Sequence, residues 1–225
     1  MLPSQTVENY LKTIYLAQTS QGASSELVPV GQLAAALRVV PGTATTMMKT
    51  LAESGLVRYE PYMGVRLTDA GEKLASLVLR RHRLIELFLV KILGMSWAEV
   101  HDEAEQLEHA VSERLIDRID EMLGRPQVDP HGDPIPSAEG HMPQPDYLDL
   151  LTAPIGVPLV VTRVLDQDPD FLRFAEQNQL APGCEVTVES REPSSDAVLL
   201  RAQSGASVSI GARAAEKVLV AKRIS

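Results

Sequence analysis

Residues 30–67 read VGQLAAALRVVPGTATTMMKTLAESGLVRYEPYMGVRL, and the reading of this stretch decides the fold of the amino-terminal part. Val30, Leu33, Ala34 and Leu37 recur at helical spacing and predict a short amphipathic helix. Val39-Val40-Pro41-Gly42 interrupts it, and Thr43 to Glu53 forms a second helix that Gly55 stops. Leu56-Val57-Arg58-Tyr59 and Val65-Arg66-Leu67 are strand-like runs, and Pro61-Tyr62-Met63-Gly64 between them signals a hairpin. Upstream, Val7, Tyr10, Leu11, Ile14 and Tyr15 mark another helix with Ser4 as its N-cap. A Ser-, Gly- and Ala-rich loop, residues 19–25, separates it from the rest.

Helix, helix, turn, helix and a two-stranded wing is the order of a winged helix-turn-helix. In that geometry the second helix of the turn enters the major groove, so Thr43, Thr45, Thr46 and Lys49 are the expected DNA-reading side chains. Threonine offers a hydroxyl to bases or phosphates and a methyl to thymine, while Lys49 suits a phosphate. Arg58 and Arg66 on the wing suit the DNA backbone or minor groove. A competing reading keeps Met47, Met48 and Leu51 as core and leaves the threonines to cap and solvate a helix.

Downstream, a long helix starts at Thr68 with Glu72 and runs through Leu74, Leu77, Val78, Leu84, Leu87, Phe88 and Ile92 to about Leu93, where Gly94 breaks it. Ser96 with Glu99 fits a capping box, and helical patterning continues to Leu123 with a bend near Ser112. Residues 124–158 are rich in Pro and Gly and read as an ordered loop plus linker. From Leu159 the pattern turns to β-branched runs: Leu159–Val164, Val186–Val188, Val198–Arg201, Val208–Ile210 and Val218–Val220. A short helix near Asp170–Gln177 interrupts them, and the whole is the size of an SH3-like β-barrel.

The chain has 225 residues and a net charge of −9, with an uneven distribution. Residues 1–91 carry 10 basic and 7 acidic side chains, residues 92–150 carry 3 and 14, and residues 151–225 carry 8 and 9. A slightly basic block suits a polyanion and the strongly acidic one suits cations. The single cysteine, Cys184, excludes an internal disulfide framework and a cysteine-built metal site. No stretch is long and apolar enough for a membrane helix, and the amino end does not read as a secretory signal, so a cytoplasmic protein without a membrane partner is expected.

Within the acidic block, His82 and Glu86 share a helix face at i, i+4, and His101, Glu105, Glu108 and His109 fall within an arc of about 100° if one helix carries them. Imidazoles and carboxylates gathered in this way repel or stay unsatisfied when packed dry, and a divalent cation resolves both problems. A solvated acidic helix with incidental histidines is the plainer alternative. The oxygen and nitrogen donors fit Mn²⁺ or Fe²⁺, with Zn²⁺, Co²⁺, Ni²⁺ or Cd²⁺ expected to bind in vitro. Catalysis is not expected. The Glu-x-x-His pairs of di-iron oxidases are missing, since Leu79, Ala98 and Gln106 precede the three histidines at i−3, and Cys184 has no base nearby in sequence.

Val30-Gly31-Gln32-Leu33-Ala34, the run Met48 to Val57 and Leu67-Thr68-Asp69-Ala70-Gly71 recur with Arg81-His82-Arg83-Leu84, Val100 to His109 and Asp129-Pro130-His131-Gly132-Asp133-Pro134-Ile135-Pro136. This set resembles the diphtheria toxin repressor family of metal-dependent transcriptional regulators, in its long, manganese-responsive form. The resemblance implies a mainly α protein with a small β domain. Residues 1–72 would be a winged helix-turn-helix, 73–140 a helical metal-binding and dimerisation domain, 141–158 a linker and 159–225 an SH3-like domain. It further implies a homodimer on double-stranded operator DNA, repressing metal-uptake genes when Mn²⁺, or Fe²⁺ as second choice, is bound. By position, His82, Glu86 and His101 resemble the family's ancillary site and Glu105, Glu108 and His109 its primary site. Asn9 takes the first-helix ligand position, where Met or Asp is usual. Gln167, Asp168 and Asp170 lie nearest to the ligands that longer members draw from the SH3-like domain. Glu105 stands where the iron-responsive branch has Cys, and this hard oxygen favours Mn²⁺. The rival functions are a metal-independent winged-helix regulator with an organic effector, and a metal-buffering protein or metalloenzyme.

Overall fold

The computed structural model describes residues 4–20, 27–143, 146–192, 194 and 196–223; most of the loop read at 19–25, and Pro145, lie outside them. The chain forms two compact units, residues 1–82 with 136–142, and residues 83–135 with 143–225.

In the first unit, helix α1 spans Gln5–Ser20, α2 Val30–Ala36 and α3 Pro41–Glu53. Ser4 opens α1 as expected, its carbonyl accepting from Glu8 N at 3.0 Å and its hydroxyl from Val7 N at 3.4 Å. The expected break at residues 39–42 is shorter than read. Pro41 begins α3, because the first helical position needs no amide hydrogen and proline supplies the right φ. Strands β1 (Val57–Glu60) and β2 (Gly64–Leu67) pair antiparallel, with Arg58 opposite Arg66. Leu11, Ile14, Leu33, Met48, Leu51 and Val65 form the core, each at most 1% exposed. Helix α4, Asp69–Lys91, leaves the hairpin tightly. A Cβ on Gly71 would lie 2.0 Å from the Leu56 carbonyl oxygen, so only glycine lets the first turn of α4 sit there. Ala75 of α4 belongs to this core, whereas Leu84, Ile85, Leu87 and Leu89 of the same helix belong to a core in the second unit.

The second unit holds α5 (Val100–Leu107) and α6 (Glu113–Met122). The single bent helix expected from Ser96 to Leu123 is corrected to these two. Ser112 draws the Leu115 amide to its hydroxyl and starts a new helix, which divides the pattern where only a bend was expected. Ser96 caps a turn rather than the helix, accepting from Ala98 N at 3.3 Å, and Glu99 precedes α5 without a side-chain cap.

Next come β3 (Leu148–Asp149), β4 (Pro158–Val164), α7 (Pro169–Gln177) and β5 (Glu185–Glu192). The chain ends with β6 (Ala197–Ala202), β7 (Ser207–Gly211), α8 (Ala212–Ala215) and β8 (Val218–Lys222). The strands make one antiparallel sheet in the order β3-β8-β4-β5-β6-β7. Among the described residues β3 and β7 remain as its two edges, so the SH3-like sheet is open and the expected closed barrel is corrected. Strand β3 lies inside the stretch read as a linker; at two residues it is too short for a periodic signal.

The loop before β3 is ordered by charge and by backbone. Arg83 of α4 lies 3.7 Å from both Asp129 and Asp133, and Arg163 of β4 also pairs with Asp133. Gly132, at φ +84°, passes so close to β4 that a Cβ would sit 1.9 Å from the Thr162 carbonyl oxygen. Val164 N donates to the His131 carbonyl at 2.8 Å.

Candidate metal centre and DNA interface

Glu86 is the pivot of the candidate metal centre. It sits one turn after His82 on α4 and is wholly buried, while His82 is 4% exposed. Its Oε1 lies 3.3 Å from His101 Nδ1, and His101 Nε2 lies 3.9 Å from Glu105 Oε1. Glu108 is wholly buried, with His109 Nε2 3.3 Å from its Oε1. The expected one-helix arc is corrected here: α5 ends at Leu107, Glu108 is its C-cap and His109 lies in the turn beyond. The chain therefore reaches the His109–Glu108 pairing through a break in the helix.

The second oxygen of Glu86 meets residues to which the sequence reading gave no role. His131 Nδ1 lies 3.8 Å from Glu86 Oε2 and 3.9 Å from Asp129 Oδ1. Glu86, Asp129 and His131 are all buried, and each brings a ligand atom within 4.8 Å of the other two. His131 Nε2 is 2.8 Å from the Trp97 carbonyl, which can only accept, so that nitrogen carries the proton. In the neutral ring Nδ1 then keeps its lone pair, and among the described residues it makes no hydrogen bond. Burial, with Asp133 and Glu86 close by, pushes the Asp129 carboxyl well above the usual aspartate range despite Arg83. A lone pair and two buried carboxylates fit a divalent cation and resist a dry, empty packing. The signal in the sequence was the pair Asp129 and His131, two apart in a Pro-rich loop. Only the turn through Gly132 shows that both reach Glu86.

Asn9 on α1 is half-buried, and its Oδ1 accepts no hydrogen bond from the described residues, so this oxygen is available as a ligand. The neighbouring Glu8 accepts from Arg81 Nη2 at 2.7 Å, which ties α1 to α4. Gln167 donates to Asp133 Oδ2 at 2.7 Å, beside the Asp129–His131 turn. Asp168 instead caps α7, accepting from the amides of Asp170 and Phe171, and Asp170 is exposed and paired with Arg173. The structure brings neither of these two aspartates to the cluster around Glu86.

On the DNA side, Thr43, Thr46 and Lys49 lie exposed on α3, and Thr45 is half-buried. The hydroxyls of Thr45 and Thr46 donate to the Pro41 and Gly42 carbonyls at 2.9 and 3.0 Å, so their oxygens remain acceptors. Arg58 and Arg66 stand opposite each other across the wing, a like-charged pair that an incoming phosphate would stabilise.

A winged DNA reader joined by one helix to buried imidazole–carboxylate clusters defines the class of metal-responsive DNA-binding regulators. Comparison with known proteins agrees. Residues 3–65 match the iron-dependent repressor amino-terminal DNA-binding domain, residues 68–137 its metal-binding and dimerisation domain, and residues 148–222 the FeoA domain. The iron-dependent repressor IdeR of Mycobacterium tuberculosis is 33% identical over 198 residues, 82% of this chain and 84% of that protein. The regulator MntR of Lysinibacillus sphaericus is 34% identical over 122 residues, 54% of this chain and 84% of that one. Among solved structures, a manganese-dependent transcriptional repressor in complex with manganese is 41% identical with a TM-score of 0.86, covering 96% of this chain and 100% of that one. ScaR with bound Cd²⁺ is 32% identical with a TM-score of 0.78, covering 98% and 100%. The chain belongs to the iron-dependent repressor family, and it is a metal-dependent transcriptional repressor.

Proposed function

We propose that the effector is Mn²⁺, with Fe²⁺ as the second choice, and that its binding licenses a homodimer to repress metal-uptake genes in the cytoplasm. The observation that carries this reading is Glu86, buried with one oxygen toward His101 and the other toward His131. An all-oxygen and nitrogen donor set, with no thiolate, favours Mn²⁺ over softer ions. Zn²⁺, Co²⁺, Ni²⁺ and Cd²⁺ then bind in vitro by the general affinity order. His82, Glu86, His101, Glu105, Glu108 and His109 would hold the metal, Asp129 and His131 would add a further pair, and Asn9 is the oxygen that α1 offers. When bound, the cation supplies the positive charge that offsets the repulsion among these carboxylates.

The protein's own residues turn that neutralisation into a response. Glu86 anchors on α4, whose earlier turns pack in the core of the DNA reader through Ala75. Arg81, next to His82, clamps α1 through Glu8. Fixing the later turns of α4 therefore restrains the helix that the reader is built upon. Residues 1–72 read DNA, 73–140 sense metal and dimerise, and 159–225 form the SH3-like part after the linker 141–158. Ile92, Leu93, Leu107, Leu115 and Met122, exposed in the helical part, supply apolar area for a second copy. A dimer would set two α3 helices about one DNA turn, roughly 34 Å, apart on a palindromic operator.

The test is a titration of promoter DNA in Mn²⁺, Fe²⁺, Zn²⁺ or chelator. Glu108→Ala and His109→Ala should abolish metal-stimulated binding, with circular dichroism and sedimentation unchanged. A normal Mn²⁺ response from either variant would refute the assignment of these ligands.

A further inference from the structure

Between the metal loop and the linker the chain makes an excursion. Residues 136–142 belong to the first compact unit, although the residues on either side of them, up to 135 and from 143, belong to the second. On α4, Lys73, Ser76, Arg80 and Arg83 recur at intervals of three or four and form one stripe. Residues 129–140 run back along that stripe. At the metal end Arg83 lies 3.7 Å from both Asp129 and Asp133, and its Nη1 donates to the Pro134 carbonyl. One turn back, Arg80 Nη1 donates to the Pro136 carbonyl at 2.8 Å. At the far end Gly140, at φ +90°, abuts Ser76: a Cβ there would lie 2.5 Å from Ser76 Oγ and 3.7 Å from Ser76 Cβ. Ser76 is 1% exposed, and its neighbour Ala75 lies in the core of the DNA reader.

Two properties make this segment a strap and not slack chain. It is stiff, because Pro130, Pro134 and Pro136 each fix φ. It also ends in a closed turn. Ser137 N donates to the His141 carbonyl at 2.9 Å, and Gly140 N to the Ser137 carbonyl at 3.0 Å. Ser137 Oγ donates to Glu139 Oε2 at 2.9 Å and accepts from Glu139 N and His141 N at 3.2 and 3.3 Å. The metal loop at the other end is equally tied, since His131 N and Asp133 N both donate to Asp129 Oδ1, at 2.8 and 2.9 Å. A stiff run anchored at both ends passes a displacement along instead of absorbing it.

We propose that residues 129–140 are a second route, beside the body of α4, by which the metal cluster governs the DNA reader. With Asp129 and His131 fixed by a cation, Pro136 and Gly140 are held on Arg80 and Ser76, and the turn of α4 that enters the reader's core is stiffened. Without the cation the strap loses its anchor at the metal end and that turn is released. The inference rests on the metal-responsive reading above and adds the path of its regulation.

The 3.7 Å between the two Cβ positions suits a disulfide. Full-length protein carrying Ser76→Cys and Gly140→Cys, with Cys184→Ser to remove the remaining thiol, is therefore locked by oxidation with diamide and released by a phosphine reductant. Its binding to a duplex enriched from a random pool by the wild type with Mn²⁺ is followed by fluorescence anisotropy, in chelator and in Mn²⁺. In chelator the locked form should bind about tenfold more tightly than the same protein reduced, inside the range of roughly 5- to 150-fold usual for coupled sites. By linkage, Mn²⁺ binding in the absence of DNA, read from Trp97 fluorescence, should tighten on locking. Gly140→Val should act in the opposite sense, lifting the strap from Ser76: it should lose about tenfold of DNA affinity in Mn²⁺ and none in chelator. Equal or weaker binding by the locked form in chelator would overturn the proposal, and this comparison of one protein in two redox states decides the matter even if Gly140→Val fails to fold. A wild type indifferent to Mn²⁺ would instead refute the metal-responsive reading, whereas a responsive wild type with an ineffective lock would refute the strap alone.

Discussion

At the residue scale, Asp129 holds a carboxyl whose charged form its surroundings disfavour. Its carboxyl lies buried beside Glu86 and Asp133, which raises its proton affinity in the folded state. With the folded value raised, its contribution to stability is complete below the ordinary aspartate range and is lost as pH rises through the raised value. The metal-free protein should therefore lose stability on that side, and Asp129→Asn should flatten the loss. At neutral pH the variant should melt about 2–4 °C higher, the shift that about 1 kcal/mol gives a chain of this size, while binding Mn²⁺ more weakly. Thermal scans with chelator and with metal check both halves, and a lower melting point in chelator would contradict the first. His131→Ala should likewise weaken metal binding by 10-fold or more, as losing a ligand or its oriented partner commonly does. Trp97, 5.6 Å ring to ring from His131, is the only tryptophan in the chain, so its fluorescence reports that site in a metal titration.

At the scale of elements, the loop through residues 129–135 matters as much as the helices. Gly132→Ala would drive a Cβ into the Thr162 carbonyl and force an unfavourable φ. It should displace Asp129 and His131 together and weaken Mn²⁺ binding more than either single change, as calorimetric titration would register. The helices and strands were legible in the sequence where periodicity was long: α1, α3, α4 and the strands from β4 onward follow their apolar spacing. The division between α5 and α6 was not, because Ser112 acts as a cap through a local hydrogen bond that leaves the helical pattern almost unbroken. The histidine–carboxylate pairs on α4 and α5 were legible from i, i+4 spacing. Asp129 and His131 were not, because a turn fixed by glycine and proline has no period. The left-handed backbone of Tyr62, at φ +67° in the β1–β2 turn, was invisible for the same reason: residue type marks a turn there, and only backbone angles reveal its strain.

At the scale of the whole molecule, metal and stability are linked. A cation that binds only the folded chain adds about 2.7 kcal/mol at 100 times its Kd, so the melting temperature should climb with Mn²⁺ concentration without a plateau at stoichiometry. A melting temperature independent of Mn²⁺ would contradict binding to the folded state alone. Association with DNA should weaken steeply with salt if Lys49, Arg58 and Arg66 displace counterions from phosphates, as proposed.

Helix α4 is common property of two of the three hydrophobic cores among the described residues, contributing Ala75 to one and Leu84, Ile85, Leu87 and Leu89 to the other. Loss of either core strips the packing from one part of that continuous helix and loosens its backbone hydrogen bonds. Heat should therefore dismantle both in one sharp endotherm, and amides near the centre of α4 should be among the last in the chain to exchange with deuterium.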